Sequence, residues 1–211
     1  MKILFQGDSV TDCSRKYEEY HDLGLGYPKY TAEYLKDLFP DIEFEFINKG
    51  VSGNRTKDII ARSQSDIVDI DPDIITILIG VNDTWRRYDS NDPTSAEEFR
   101  DNYETILKTV KEQTHAKIIM IECFLVYGMG RDDYREDLNA KIDETRKLAI
   151  KYADSFIPMD GILAQACTGE YKISPEFISA DGVHPAEEGK KIIAEVLSAE
   201  LAAMIAGMIE D

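Results

Sequence analysis

The chain has 211 residues, 43% of them hydrophobic, and carries 24 Lys and Arg against 41 Asp and Glu, a formal net charge of −17. That length and apolar content suit one domain with a substantial core, expected to span residues 1–211. So acidic a surface repels phosphate backbones and anionic lipid heads, which argues against nucleic acid or a membrane as the main partner and favours neutral small molecules.

In chain order, the first apolar run predicts a strand over 2–6 (KILFQ) that breaks into Gly7-Asp8-Ser9. The run is too short for the apolar segment of a signal peptide, so with Met1 as the natural start the expectation is a cytoplasmic protein. Cys13, Cys123 and Cys167 are odd in number, far apart and free of any CxxC pairing, which suits a reducing compartment. The segment CSRKYEEYHDLGLG (13–26) follows the first strand and is expected to wall whatever site forms there. A second strand is predicted over 42–48 (IEFEFIN), running into NKGVSGN (48–54). A third, 73–79 (DIITILI), is almost continuous Ile, Thr and Leu, as a strand covered on both faces should be, and leads into Gly80-Val81-Asn82-Asp83.

Residues 95–113 place Phe99, Tyr103, Ile106, Leu107 and Val110 on one helical face, after Thr94-x-x-Glu97, which reads as a capping box. A fourth strand, 117–122 (KIIMIE), leads to FLVYGMGRDDY (124–134), a second expected wall, and a fifth, 155–158 (SFIP), precedes the loop ADGVHP (180–185). The apolar end, 192–209, carries Glu195 and Glu200 and brings Ile192, Ile193, Val196, Leu197, Leu201, Met204 and Met208 to one face, the pattern of a packed amphipathic helix rather than a membrane span. It also hints at a surface for self-association, so a homo-oligomer is one expectation.

Alternating strands and helices without repeat or linker predict an α/β fold: a three-layer α/β/α sandwich around a five-stranded parallel sheet, with the flavodoxin-like order 2-1-3-4-5. Ligands then bind beyond the carboxyl ends of the strands, so the loops named above are where chemistry should be sought. They offer a hydroxyl (Ser9), a glycine-lined backbone (Gly53), a carboxamide (Asn82) and an Asp-His pair (Asp181, His184), the parts of an acyl-transfer site. His184 lies three positions after Asp181, a spacing that lets the carboxylate reach Nδ1 and leaves Nε2 free to accept a proton. Alone, the same residues read as a turn followed by a helix start with Pro185 at its first position. Gly53 and Asn82 alone are ordinary turn residues. His21 and His115 have no such context and are expected at the surface. If the strand order is 2-1-3-4-5, the tips bearing Gly53 and Asn82 flank Ser9, where an oxyanion would need donors.

Together the blocks GDS (7–9), GVSGN (50–54), GVND (80–83) and DGVH (181–184) resemble the SGNH hydrolases, or GDSL-type esterases, in order and over nearly the whole chain. Val10 replaces the leucine of the name-giving motif conservatively. The stretches LGLGYPKY, INKGVSGNR and LIGVNDTWRRYDS are similar to the small intracellular branch that includes acetyl-xylan and acetyl-oligosaccharide esterases. The resemblance implies Ser9 as nucleophile, His184 as base and Asp181 as its orienter, with the Ser9 N–H, the Gly53 N–H and the Asn82 side chain as the oxyanion hole. It implies a serine esterase removing short acyl groups, above all acetyl, from carbohydrate, with no cofactor and no metal. The G-x-S-x-G motif of the standard α/β-hydrolases is absent.

Other readings compete. A broad short-chain carboxylesterase or a lysophospholipase-like enzyme would use the same machinery, although no loop supplies an obvious trough for a long acyl chain. A flavodoxin-like binding module could cradle a phosphate with GDSVTD but leaves Asn82 and Asp181-His184 without a task. A metal-assisted hydrolase could gather Asp8, Asp83, Asp181 and His184, although nothing requires a Lewis acid when three oxyanion donors are available. Asp8, read first as a turn or supporting residue, stands with Trp85 and Tyr127 among the expected substrate contacts, and Met129 could join them. Trp85 could stack on a sugar ring or pack beneath its own loop, with Arg86 and Arg87 paired to Asp89 or neighbouring acids. Cys13 could be a filler or a pocket residue.

Overall fold

Five parallel strands, β1 (Lys2–Gly7), β2 (Glu45–Asn48), β3 (Ile74–Leu78), β4 (Lys117–Ile121) and β5 (Ser155–Ile157), form one sheet in the order β2-β1-β3-β4-β5 in the computed structural model, which describes residues 1–170 and 172–210. This is the expected order. It sets Phe5 beside Asn48 and Gly7 beside Leu78, so the tip of β1 lies between the tips of β2 and β3. The second strand is shorter than its apolar pattern: residues 42–44 run outside the ladder, with Ile42 and Phe44 partly buried against the core.

Strand side chains alternate between two cores. Ile3, Phe5, Phe46, Ile74, Leu78 and Ile119 face α2 (Tyr27–Leu38), α7 (Met159–Ala166), α8 (Pro175–Ile178) and α9 (Glu187–Glu210). Leu4, Ile47, Ile75, Ile77, Ile118 and Met120 face α3 (Thr56–Ala61), α5 (Ala96–Gln113) and α6 (Arg135–Tyr152). Each fully buried Leu or Ile contributes about 1.5–3 kcal/mol relative to exposure, so both faces must be covered, and the result is the α/β/α sandwich.

Local rules explain the helices. The expected stripe of α5, Phe99, Tyr103, Ile106, Leu107 and Val110, is buried. Its cap is Ser95 rather than Thr94: Ser95 Oγ accepts the Glu98 N–H at 3.0 Å, while Thr94 is buried within hydrogen-bond range of Arg55. Glu97 and Glu98 then sit where the helix dipole favours negative charge. By length and composition α9 could cross a membrane, but Ile193, Leu197, Leu201 and Ile205 are buried in the core with strands from the sheet. A third, smaller cluster gathers Val81, Cys123, Leu125, Leu138, Ile142 and Val183, with Trp85 and Tyr134 packed against it. It draws together the chain after β3, the chain after β4 and the loop before α9.

Candidate active site

At the end of β1 the chain turns directly into a single helical turn, α1 (Ser9–Asp12). Asp8 caps it, its Oδ1 accepting the Val10 N–H at 3.0 Å, and this fixes Ser9 as the first residue of the helix, two positions beyond the end of the strand. Ser9 is half-buried. Its Oγ lies 2.9 Å from His184 Nε2. On the other side of the ring, His184 Nδ1 is 2.7 Å from Asp181 Oδ2.

Asp181 does more than touch the imidazole. Its Oδ1 accepts the backbone N–H groups of Val183 at 3.0 Å and His184 at 2.8 Å, so one side chain shapes the turn and orients the ring. Ser179 Oγ donates to the His184 carbonyl at 2.8 Å, and Ser179 and Pro185 form an isolated antiparallel bridge that closes the base of the loop. Val126 N–H donates to the Gly182 carbonyl at 2.8 Å, and the Arg131 guanidinium donates to the Asp181 carbonyl. Pro185 is therefore not a first helical residue, since α9 starts at Glu187.

The electrostatics follow from these contacts. Although partial burial opposes it, the imidazole and two N–H donors hold the Asp181 carboxyl well below the usual carboxylate range. The Asp181 hydrogen bond in turn raises the His184 pKa above its ordinary value, against the desolvation of the ring. A serine hydroxyl, an imidazole and a carboxylate thus stand in line at hydrogen-bond distances, the arrangement that can move a proton from Oγ to Nε2.

The flanking loops carry the other expected residues. Gly53 holds φ +84°, a left-handed conformation that favours glycine, and open space surrounds the position where a Cβ would project. Asn82, in the first turn of α4 (Val81–Asp89), is buried, and its Nδ2 donates to the Asn54 carbonyl at 3.1 Å. The carboxamide is thus tied to the residue after Gly53 and keeps a second N–H. Asp83, next in the chain, accepts from Thr56 N–H at 3.1 Å and Thr56 Oγ at 2.8 Å. Burial pushes its pKa up to about 6 in spite of these bonds.

The expected substrate contacts divide. Asp8 is fully buried and its Oδ2 has no hydrogen-bond partner; burial pushes its pKa up to about 7. It is absent from the lining of the cleft beside Ser9 and instead caps α1, which corrects its expected place among the substrate contacts. Tyr127 is exposed, lies under the Arg135 guanidinium at 4.0 Å, and lines an apolar cavity with Leu125, Val126 and Leu163, apart from the cleft of Ser9. Trp85 stands beside His184, with ring centroids 5.8 Å apart, and Arg131 lies 4.2 Å above the indole. Arg86 and Arg87 pair with Asp89 and Asp137. Cys13 and Ser14 line a cleft of about 250 Å³ with Ser9, Ser52, Tyr27, His184 and Lys190. Asp8, Asp83 and Asp181 bond to different partners, and among the described residues no three His, Cys, Asp or Glu side chains converge as a metal would require.

Sequence reasoning missed Arg131, Ser179 and Lys190. Arg131 and Ser179 act through backbone carbonyls, a role that leaves no spacing pattern, and Lys190 reaches the cleft from α9, a helix distant in sequence from Ser9.

Residues 5–192 match the GDSL-like Lipase/Acylhydrolase family. An acetylxylan esterase of Geobacillus stearothermophilus is 30% identical over 207 residues, covering 95% of this chain and 93% of that protein. An arylesterase of Vibrio mimicus is 26% identical over 208 residues, covering 95% and 88%. The crystal structure of an acetylxylan esterase from G. stearothermophilus superposes with a TM-score of 0.84 at 29% identity, covering 94% of this chain and 93% of that one. Structures from the same source include catalytic mutants in which a serine, a histidine and an aspartate are each replaced by alanine. With its sheet order, its serine at the tip of β1 and a match over most of its length, the chain belongs to the GDSL-like lipase/acylhydrolase family of carboxylic ester hydrolases.

Proposed function

We propose that this protein hydrolyses short-chain O-acyl esters of carbohydrates, acetyl esters above all, through an acyl-enzyme on Ser9. The observation that carries the reading is the line of contacts Ser9 Oγ to His184 Nε2 at 2.9 Å and His184 Nδ1 to Asp181 at 2.7 Å. Ser9 Oγ attacks the ester carbonyl as His184 Nε2 takes its proton. The negative charge that develops on the carbonyl oxygen meets the Ser9 and Gly53 N–H groups and the free N–H of Asn82. His184 returns the proton to the departing sugar oxygen, and water repeats the sequence on the acyl-Ser9. Asp181 holds the proton-accepting nitrogen toward Ser9 and stabilises the imidazolium.

The cleft supports a small acyl group. Ser14, Ser52 and Lys190 give its wall polar character, whereas a long acyl chain needs continuous apolar surface. Trp85, beside His184, offers an aromatic edge near where a sugar ring would stand. Acetylated oligosaccharides small enough to enter a cell are the substrates that fit the cytoplasmic location proposed from the sequence.

The test is acetate release from acetylated xylo-oligosaccharides and from 4-nitrophenyl acetate, with a long-chain nitrophenyl ester alongside. The wild type should cleave both acetyl substrates and leave the long chain almost untouched, and Ser9→Ala should abolish release. Cleavage of the nitrophenyl ester alone would discard the sugar; an active Ser9→Ala would discard the acyl-enzyme.

A further inference from the structure

A backbone N–H stabilises an oxyanion only while it stays aimed at the developing charge, so a donor on an exposed loop needs an anchor. Gly53 and its neighbour Ser52 are both exposed. On the far side the loop is held by Asp83 at Thr56. On the near side the anchor is Asp12, the last residue of α1.

Asp12 is 3% exposed. Its Oδ2 accepts the Ser52 N–H at 3.0 Å, the Ser52 hydroxyl at 2.5 Å and the Tyr17 hydroxyl at 2.7 Å. Its Oδ1 accepts the Arg15 N–H at 3.2 Å. Among the described residues no Lys, Arg or His lies within ion-pair distance of it, so this carboxylate is held by hydrogen bonds alone. An ionised acceptor suits that task, because one oxygen can take several donors at once without presenting a hydrogen of its own. The surrounding contacts point the same way. Asn48 Nδ2 donates to the Thr11 carbonyl at 2.7 Å, Arg15 Nε donates to the Gly50 carbonyl at 2.8 Å, and a Cβ on Gly50 would stand 2.3 Å from the Asp12 nitrogen. The loop backbone lies directly on α1.

We propose that Asp12 is a positioning residue of the oxyanion hole, its carboxylate at one end of α1 keeping the Ser52–Gly53 peptide in register with Ser9 at the other. This rests on the reading of Ser9 as nucleophile and Gly53 as donor. Asp12 touches no reacting atom; it acts through Ser52.

The experiment compares Asp12→Ala, Asp12→Asn, Tyr17→Phe and Asn82→Ala with wild type on 4-nitrophenyl acetate. A small alkyl boronic acid, which forms a tetrahedral adduct on the serine, serves as the second probe. Asp12→Ala should lower kcat by about 10–100-fold with KM changed less than about twofold, and the boronic acid should weaken by a similar factor. Asp12→Asn, which keeps one oxygen for Ser52, should fall between Asp12→Ala and wild type. Tyr17→Phe, which removes one donor from the same oxygen while Asp12 keeps its bonds to Ser52, should lower kcat by less than Asp12→Asn. Asn82→Ala should lose about 10²–10³ in kcat and reports on the oxyanion hole itself. Should Asp12→Ala not fold, Asp12→Asn and the boronic acid carry the test. If the Asp12 variants change KM or melting temperature alone while Asn82→Ala is impaired, the proposal is overturned and the hole stands. If Asn82→Ala keeps full activity, the oxyanion reading falls and takes the role of Asp12 with it.

Discussion

At the scale of single residues, the site couples two titrations. Because the Asp181 hydrogen bond raises the His184 pKa, and His184 accepts a proton only when neutral, activity should fall as pH drops through that raised value. Asp181→Ala removes the interaction, so the acid limb of kcat/KM should move to lower pH while the plateau drops. Asp181→Asn should lower the plateau further. A carboxamide N–H facing Nδ1 favours the tautomer with its proton on Nε2, which cannot take the proton of Ser9. A pH–rate profile of each variant on 4-nitrophenyl acetate checks this, and an unmoved acid limb in Asp181→Ala would contradict the assignment.

At the scale of elements, connections at the amino ends of the strands contribute stability independently of the site. His115, just before β4, places Nδ1 2.8 Å from Asp71 and Nε2 3.1 Å from Asp73, clipping that strand to the turn before β3. Hydrogen bonds to Asp73 and Asp71 raise its pKa. A histidine raised on folding stabilises fully below its unfolded value, near 6.5, and loses that contribution as pH rises through the folded value. With the imidazole more than half exposed, the effect is screened to about 0.5 kcal/mol or less. Urea unfolding should therefore find His115→Gln less stable than wild type at pH 5.5 and nearly equal at pH 8.5; a constant difference would mean that the charge is not responsible.

The same scale shows what was legible beforehand. The buried face of α5 and the five strands follow from apolar spacing, because burial imposes periods of 3.6 and 2 on the side chains. The cap at Ser95 rather than Thr94 did not, since adjacent hydroxyl residues compete for one role and tertiary contact with Arg55 decides between them. That Ser9, Asp181 and His184 come together was legible only from the four blocks and the resemblance they carry, since Asp181 and His184 alone read equally as a turn and a helix start. Asp8, Asp12 and Asp83 look alike in sequence as polar turn residues. Only the packing of loop against helix makes the first a cap, the second an anchor at Ser52 and the third an anchor at Thr56. Tyr127 faces a cavity other than that of Ser9 because a loop known only to follow β4 can turn its aromatic either way.

At the scale of the whole molecule, the net charge of −17 means that the compact state is formed against its own repulsion. Dissolved salt screens such exposed charges over about 10 Å at 0.1 M. The melting temperature at pH 7 should therefore rise when NaCl is increased from 10 to about 150 mM; a flat or falling trend would show that favourable ion pairs outweigh the repulsion.

The sheet order has one more consequence. Ser9 stands at the first strand tip, whereas Asp181 and His184 follow the last strand, and β1 gains its second neighbour only with β3. A polypeptide emerging from the ribosome thus carries Ser9 from the outset but has no imidazole to pair with it until nearly all of the message has been read. On the proposed mechanism, activity would begin only at the end of synthesis, and a product truncated ahead of residue 181 would lack both Asp181 and His184 beside Ser9.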